Sequence, residues 1–218
     1  TKLSEIADLT HLDATTVAHA SKNLFETGIL RKEYAITDER NKRKVRYELA
    51  DHMFRFWYRF VPRGIDAIGM GRGDAYYARI VQPHLSDYMG EVFEDMCRAY
   101  TLRVGLDGEL PCLVTRVGRW WGTNPRKREE TDIDVVGIDD VQKTAMIGEC
   151  KFKNEPVDKH VFEQLQERNG LIDHRYRIVG YLLFSKSGFS DWVMEHQEDE
   201  AINTITLKEM YDEASKAE

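Results

Sequence analysis

The sequence predicts an α/β protein, α+β overall, in which a small helical N-terminal domain precedes a larger domain with a mixed central sheet flanked by helices. One predictor is a pair of short helical patterns followed by a basic hairpin within residues 1–50. Another is the alternation of apolar and charged residues in TDIDVVGIDDVQKTAMIGECKFK, which is typical of β-strands. A further one is the order of elements after residue 75, which is helix, three strands, helix and strand.

The N-terminal elements are defined by their caps. The segment LSEIADLT predicts a first helix, Asp13 is a suitable N-cap for a second helix, and Gly28 ends that helix. A strand begins at Ile29, and a basic turn over residues 40–46 leads to a returning strand, VRYELA. This order of helix, turn, helix, glycine and hairpin resembles winged helix-turn-helix domains.

The resemblance to winged helices implies contact with DNA. In such domains the second helix enters the major groove, and the residues expected to face the bases are Thr15, Thr16, His19 and Lys22. The residues expected to contact phosphates are Arg40, Lys42, Arg43, Lys44 and Arg46. Because winged helices also serve as protein-docking modules, a role in protein contact stays open.

The distribution of charge fits a local affinity for DNA. The chain has 218 residues and a net charge of −7, so it is not a general coat for nucleic acid. Residues 1–63 nevertheless contain 12 Lys and Arg against 9 Asp and Glu, whereas residues 64–218 contain 19 against 29. A basic patch can contact phosphates while the whole protein stays acidic. The acidic part would need metal ions, or the basic part, to hold DNA close.

An aromatic segment connects the two parts. The sequence HMFRFWYRFV, residues 52–61, predicts a helix, and its density of aromatic side chains favours packing in a core over stacking on bases. Residues 63–83 open with a glycine-rich stretch and predict a linker. The expected domains are therefore 1–62, a winged helix with this aromatic bridging helix, and 84–218, which contains the mixed sheet.

The two strands of TDIDVVGIDDVQKTAMIGECKFK predict a cluster of carboxylates. Residues two apart in a strand share a face, so Asp132 and Asp134 lie together on the first strand. Glu149 and Lys151 share a face of the second strand for the same reason. With a turn at 140–143, antiparallel pairing places 134 opposite 149 and 132 opposite 151. Opposed side chains have Cβ atoms about 5 Å apart, so three carboxylates and one ammonium group would converge.

Such a patch suits a hard divalent cation. Mg²⁺, or Mn²⁺ in its place, takes oxygen ligands from one or two carboxylates and keeps several waters. We expect Asp134 and Glu149 to bind the metal, with Asp132 as a second-choice ligand. Lys151 would orient the attacking water or hold a phosphate oxygen. The alternative is a solvated hairpin with a cross-strand ion pair, which the apolar flanking residues disfavour.

The spacing of these residues resembles the signature of PD-(D/E)XK nucleases. Asp134 stands fifteen residues before Glu149, which opens an E-x-K motif that ends at Lys151, although Ile133 occupies the place of the proline. In this superfamily a helix before the sheet often adds an acid, and Glu94 matches that position. The resemblance implies a restriction-endonuclease-like fold and a catalytic set of these four acidic and basic residues. It also implies phosphodiester hydrolysis that leaves a 5′-phosphate.

The whole arrangement is similar to the C-terminal region of archaeal-type P-loop ATPases, which also occur in bacteria. The likeness rests on the bridge DHMFRFWYRF at 51–60 and the motif GECKFKN at 148–154. It implies an ATPase module N-terminal to Thr1 in the full-length protein. The chain itself contains no Walker motif, so it is not expected to hydrolyse ATP.

Composition places the chain among ordinary globular proteins and not among membrane proteins. It is 42% hydrophobic and 32% charged, and it has no apolar run as long as a membrane span. Cys97, Cys112 and Cys150 are widely spaced, which predicts reduced, buried thiols in a cytoplasmic protein.

These features lead to two functional expectations. The first is a Mg²⁺-dependent DNA nuclease that its winged helix guides to the substrate, and a homodimer would suit double-strand cleavage. The second is a DNA- or protein-binding adaptor whose nuclease-like domain does not cut. A stand-alone transcription regulator would leave the E-x-K hairpin unexplained.

Overall fold

The computed structural model describes residues 2–41 and 44–214, and the chain divides into two compact units, 1–88 and 89–218. The first unit contains helices and one hairpin, and the second contains a five-stranded sheet. Among the described residues, no helix combines the length and the apolar character that crossing a membrane requires.

The first unit opens with the elements that the sequence predicts. They are helix α1 (Leu3–Thr10), helix α2 (Ala14–Glu26), and the antiparallel strands β1 (Leu30–Tyr34) and β2 (Val45–Leu49). The carboxylate of Asp13 caps α2, because its Oδ1 accepts from the backbone N–H groups of residues 15 and 16 at 3.0 Å.

The end of α2 is set by Gly28, as predicted. Its φ of 72° is in the left-handed region, which glycine enters without steric cost. The N–H of Gly28 donates to the carbonyl oxygen of Phe25 at 3.0 Å, and the N–H of Ile29 donates to that of Leu24 at 2.9 Å. This pair of bonds is the Schellman arrangement, and it turns the chain directly into β1.

Helix α3 (His52–Phe60) has aromatic residues in two different environments. Phe56 and Phe60 pack against Tyr88, with ring centroids 5.7 and 6.0 Å from the tyrosine, and so belong to the core. Three further aromatic side chains of the helix are exposed: Phe54, Trp57 and Tyr58. The expectation of core packing is therefore wrong for these three, because positions 54, 57 and 58 share the opposite face of the helix.

The segment expected to be a linker, 63–83, is helical and lies within the first unit. It contains α4 (Ile65–Gly69), α5 (Gly73–Tyr76) and short turns of 3₁₀ and π helix. The hydroxyl of Tyr76 donates to the carbonyl oxygen of Phe60 at 2.7 Å, and the Tyr76 ring occupies the space beside Gly64 where a larger side chain would lie. These contacts hold the segment against α3 despite its glycines.

The second unit has the order of helices and strands that the sequence predicts. Its elements, beginning with the helix in which the two units divide, are α6 (Leu85–Leu106), β3 (Arg116–Asn124), β4 (Glu129–Asp139), β5 (Thr144–Lys151), α7 (Lys159–Gln166), β6 (Arg177–Ser185), α8 (Asp191–Glu195), β7 (Ile202–Thr206) and α9 (Leu207–Ala214). The strands lie side by side in chain order, antiparallel from β3 to β5 and parallel from β5 to β7, so the sheet is mixed.

The β4–β5 hairpin has the predicted turn and register. Its pairs run from Asp139 and Thr144 at the turn to Val135 and Gly148, in the predicted register, and the ladder ends one position before 134 and 149. The turn at 140–143 forms because the Asp139 carboxylate accepts from two backbone N–H groups of the turn, at 2.8 and 3.0 Å.

The hairpin is buried along most of its length. Both faces of β4 are covered from residue 133 onwards, which explains its nearly continuous apolar sequence. The surrounding core includes Phe93, Cys97, Val114, Val135, Met146, Leu182 and Phe184. Asp134 and Glu149 are buried carboxylates within this apolar frame, so the hairpin places charge where hydrocarbon would ordinarily pack.

Two glycines of α6 provide a matched test of this packing. A Cβ at Gly105 would overlap the buried Val114 side chain, whereas a Cβ at Gly90 would meet no atom within 4 Å. We expect Gly105→Ala to destabilise the protein by about 1–3 kcal/mol because of overpacking. Gly90→Ala should instead stabilise it by up to about 1 kcal/mol through helix propensity. Urea denaturation of both variants measures the difference, and equal effects would contradict the described packing around Val114.

Candidate functional site

Asp134 lies one residue beyond the last β4–β5 backbone pair. Here its side chain, and not its backbone, forms the hydrogen bond to β5. Its Oδ2 accepts from the backbone N–H of Cys150 at 2.9 Å. Its main-chain carbonyl oxygen accepts from Nη1 of Arg98, on α6, at 2.8 Å. The residue is therefore fixed on both its side chain and its main chain, from two different elements.

Glu149 is bound by two cationic side chains. Its Oε1 accepts from Nζ of Lys151, which shares its face of β5, at 2.5 Å. Its Oε2 accepts from Nη1 of Arg168, a residue that follows α7, also at 2.5 Å. Both carboxylate oxygens of this buried glutamate are thus engaged by positive charge.

Glu94 and Asp132 share a third cation, Arg119 of β3. Nη2 of Arg119 lies 3.5 Å from Oε2 of Glu94 and 3.6 Å from Oδ2 of Asp132. Oε2 of Glu94 is also 3.6 Å from Nη1 of Arg98, yet this buried atom has no hydrogen-bond partner among the described residues. Asp132 was expected beside Lys151, but the β4–β5 ladder has ended here and β3 is the paired neighbour of Asp132.

Burial is the first cause that raises the pKa values of Asp134 and Glu94, and the charges of neighbouring groups come second. Burial, followed by the charges of Glu149 and Glu94, raises the pKa of Asp134 to about 7. Burial also raises the pKa of Glu94, although Arg119 and Arg98 act against it. For Lys151, burial lowers the pKa, but the charge and hydrogen bond of Glu149 outweigh it and the pKa is raised. A buried carboxyl that is half protonated near neutral pH is typical of functional sites.

The donor chemistry fits a hard divalent cation, although the ligands are not gathered into a ready cage. Among residues 2–41 and 44–214, no group of three or more His, Cys, Asp or Glu is arranged to hold a metal ion. Mg²⁺, however, commonly uses one or two carboxylates and keeps waters for its other positions. Asp134 and Glu149 supply such a pair, and Oε2 of Glu94, which lies near Arg98 and Arg119 but accepts no hydrogen bond from the described residues, is a further oxygen donor in the same cluster.

Three arginines of the site were missed by the sequence prediction. The place of Arg98 beside Glu94 could have been predicted, because Arg98 lies four residues after Glu94 on a predicted helix and such residues share a face. No pattern in the sequence placed Arg119 at the site. The β3–β4 register shifts between Gly118 and Trp120, and an irregularity of this kind changes the direction of side chains. No pattern in the sequence placed Arg168 at the site either, because it contacts Glu149 from a turn nineteen residues away.

The residues expected to face DNA bases lie on the exposed surface of α2. The side chains of His19 and Lys22 are exposed, and Nζ of Lys22 lies 3.8 Å from Oε1 of Glu26. Thr15 and Thr16 are exposed at the first turn, but the Thr16 hydroxyl donates to the capping carboxylate of Asp13 at 2.6 Å. The threonine at 16 therefore helps to form the helix terminus.

The basic residues expected in the turn have different environments in the structure. Arg40 is exposed, whereas Nζ of Lys44 is paired with Oδ2 of Asp38 at 2.8 Å. Arg46 lies in strand β2, opposite Glu33 of β1, within the predicted returning strand VRYELA. Two further expected phosphate contacts, Lys42 and Arg43, lie outside the described residues.

The raised pKa of Asp134 makes the stability of the metal-free protein depend on pH. An unfolded aspartate titrates near 3.8, whereas the folded one titrates at about 7, so the folded state holds the proton more tightly. Stability therefore falls as pH rises from about 4 to about 7, and the loss persists above that range. In chelator, Asp134→Asn should flatten this dependence by on the order of a few kcal/mol.

Urea denaturation at about pH 5 and about pH 8 measures this slope. Asp140→Asn is the matched control, because bonds from Tyr176 and Arg116 lower the pKa of Asp140, so it is ionised across the whole range. An identical slope in parent and Asp134→Asn would contradict the described environment of Asp134.

Comparison with known proteins identifies one relative and one protein family. Over 172 residues, 76% of the chain is 28% identical to an uncharacterized protein of Methanocaldococcus jannaschii. The chain spans only 37% of the length of that relative. No solved structure matches the chain. A family model described as archaeal and bacterial proteins of unknown function, DUF234, matches residues 57–169, from α3 to the turn after α7. Because that match covers more than half of the chain, the protein belongs to the DUF234 family.

Proposed function

We propose that the second unit is a PD-(D/E)XK nuclease-like domain that hydrolyses phosphodiester bonds of DNA with Mg²⁺ or Mn²⁺. The observation that carries the proposal is the convergence of Asp134 and Glu149 from adjacent strands, with Lys151 bonded to the glutamate. Glu94, from the helix before the sheet, joins this cluster through Arg98 and Arg119. The order α6, three strands, α7 and strand supports the same fold.

Each side chain has a distinct role in this proposal. Asp134 and Glu149 would hold the cation, and Asp132 or Glu94 would add an oxygen or position a neighbour. When bound, a divalent cation supplies a lowered pKa for its water and stabilises charge developing on phosphate. Lys151, which the charge of Glu149 keeps protonated, would orient the attacking water or hold a phosphate oxygen. In this hydrolysis the water oxygen would bond to phosphorus as the bond to the 3′-oxygen breaks. The attacking water would lose a proton to solvent and the 3′-oxygen would take one up, which leaves a 3′-hydroxyl and a 5′-phosphate.

The first unit would hold the DNA as a winged helix. Its two helices and hairpin, with exposed His19, Lys22 and Arg40, support this assignment. Charge supports it as well, because the nuclease-like unit is acidic and needs a basic partner to approach DNA. The likeness to P-loop ATPases extends the proposal to an ATPase module N-terminal to this chain, and a homodimer would present two cutting sites.

One observation favours the alternative, a DNA- or protein-binding adaptor of that ATPase that does not cut. Each candidate ligand already contacts a cation or a backbone N–H, and the described residues contain no assembled metal cluster. An adaptor would retain the fold and be indifferent to divalent cations.

Metal binding separates the two functions. We expect Mn²⁺ titration by calorimetry to show weak binding to the parent that Asp134→Ala and Glu149→Ala abolish, since each removes a ligand. Incubation with linear, branched and single-stranded DNA should show cleavage by the parent that falls by at least about 100-fold in Lys151→Met. Asp140→Asn removes a carboxylate that bonds Arg116 outside the site and should leave both properties unchanged. Absence of cation binding by the correctly folded parent, together with no cleavage of any DNA, would favour the adaptor.

DNA binding by the first unit has its own signature. Replacing Lys22 and Arg40 by alanine should weaken affinity across sequences and reduce the salt slope by about 1 for each phosphate that the protein no longer neutralises. Arg175→Ala, an exposed arginine of the second unit paired with Asp173, is the control for charge alone. Fluorescence anisotropy at several salt concentrations gives the slopes. Equal slopes in all three proteins would contradict the assignment of α2 and the hairpin to DNA.

A further inference from the structure

Three carboxylates of the site, those of Glu149, Glu94 and Asp132, lie against cationic side chains of the same unit. Glu149 is bound by Lys151 and Arg168, while Arg119 lies between Glu94 and Asp132. A divalent cation brings two further positive charges into this balance. Because like charges at close range repel strongly in a partly buried site, withdrawal of one of these side chains would favour the binding of a cation.

Arg168 is the side chain that is placed to withdraw. It lies in the turn after α7, and its side chain is 18% exposed, against 27% for Lys151, so both have a route to solvent and the difference lies in the elements that carry them. Lys151, by contrast, is part of β5, where it pairs with β6 at Ser185. Arg168 therefore contacts Glu149 from an element that can release it without disturbing the strand that carries the glutamate.

The backbone of Arg168 is held so that its side chain reaches Glu149. On one side, Oε2 of Glu167 is paired with Nζ of Lys127 at 2.5 Å. On the other side, Nδ2 of Asn169 donates to the hydroxyl of Tyr181. The turn is thus anchored to the β3–β4 connection and to β6, which gives the arginine a defined approach to the carboxylate.

We propose that Arg168 competes with the divalent cation for Glu149 and keeps the metal-free site neutral until the cation arrives. The proposal rests on the metal site of the proposed function and adds a positioning residue to it. In the metal-free state the guanidinium takes the place of the cation at Oε2 of Glu149. Binding of the cation and the contact of Arg168 with Glu149 then exclude each other.

Calorimetric titration of Mn²⁺ into the metal-free protein tests this competition. Arg168→Gln removes the competing charge and should tighten Mn²⁺ binding by at least about fivefold, the lower range of typical coupling between two ligands. The same variant should melt at a lower temperature in chelator, because Glu149 loses a partner, and should gain more from Mn²⁺ than the parent does. If Arg168 only supported the shape of the site, its loss would lower stability and Mn²⁺ affinity together.

Arg175→Gln is the matched control. It removes one positive charge from the exposed pair with Asp173, away from the turn that carries Arg168, and should leave Mn²⁺ affinity at the parent value. If Arg168→Gln fails to fold, Asn169→Ala replaces it, because that exposed residue anchors the turn without contacting Glu149. Tighter binding in that variant supports the competition, and equal or weaker binding overturns it.

The outcomes also distinguish failure of this inference from failure of the proposed metal site on which it rests. Equal or weaker Mn²⁺ binding in Arg168→Gln, with binding intact in the parent, overturns the competition and leaves the metal site in place. Absence of binding in both proteins overturns the metal site and the competition together. Binding that is detected only in Arg168→Gln supports both.

Discussion

The end of the β4–β5 ladder is the constraint on which the site depends. Past Val135 and Gly148 the two strands no longer pair through their backbones, and the N–H of Cys150 bonds the carboxylate of Asp134 instead. Strand β5 remains regular because β6 pairs with it as far as Lys151. Glu149 and Lys151 therefore lie on a strand that β6 supports, while Asp134 is held by a hydrogen bond from the backbone N–H of Cys150 to its carboxylate.

Charge balance is the second condition for this arrangement. A buried carboxylate without a partner costs several kcal/mol, so an acidic cluster in an apolar core persists only when cations enter with it. Here Arg98, Arg119, Lys151 and Arg168 enter from α6, β3, β5 and the turn after α7. The elements around the sheet are thus coupled through the site, and removal of one cation is felt by acids on other elements.

The sequence carries the information for the hairpin because its signals are local. The alternation of apolar and charged residues, the turn at 140–143 and the acids on one face of the strands all belong to a continuous segment. The predicted register follows from them. Arg168 belongs to no such pattern, since its contact with Glu149 depends on how α7 packs against β5. Helical residues 63–83 were missed for a similar reason, because contacts of Tyr76 outweigh the glycines that predict a linker.

The cost of this site is an argument about its purpose. Asp134 is a buried acid on a strand whose neighbours Ile133 and Val135 are fully buried, and replacing buried charged groups by hydrocarbon is often neutral or stabilising. Instead the chain buries an acid whose pKa is raised to about 7 and surrounds it with further acids. An adaptor needs no such cluster on its sheet. Local choices that oppose the demands of the fold are expected where a protein does its chemistry, which favours a site that binds a cation over one that only holds strands together.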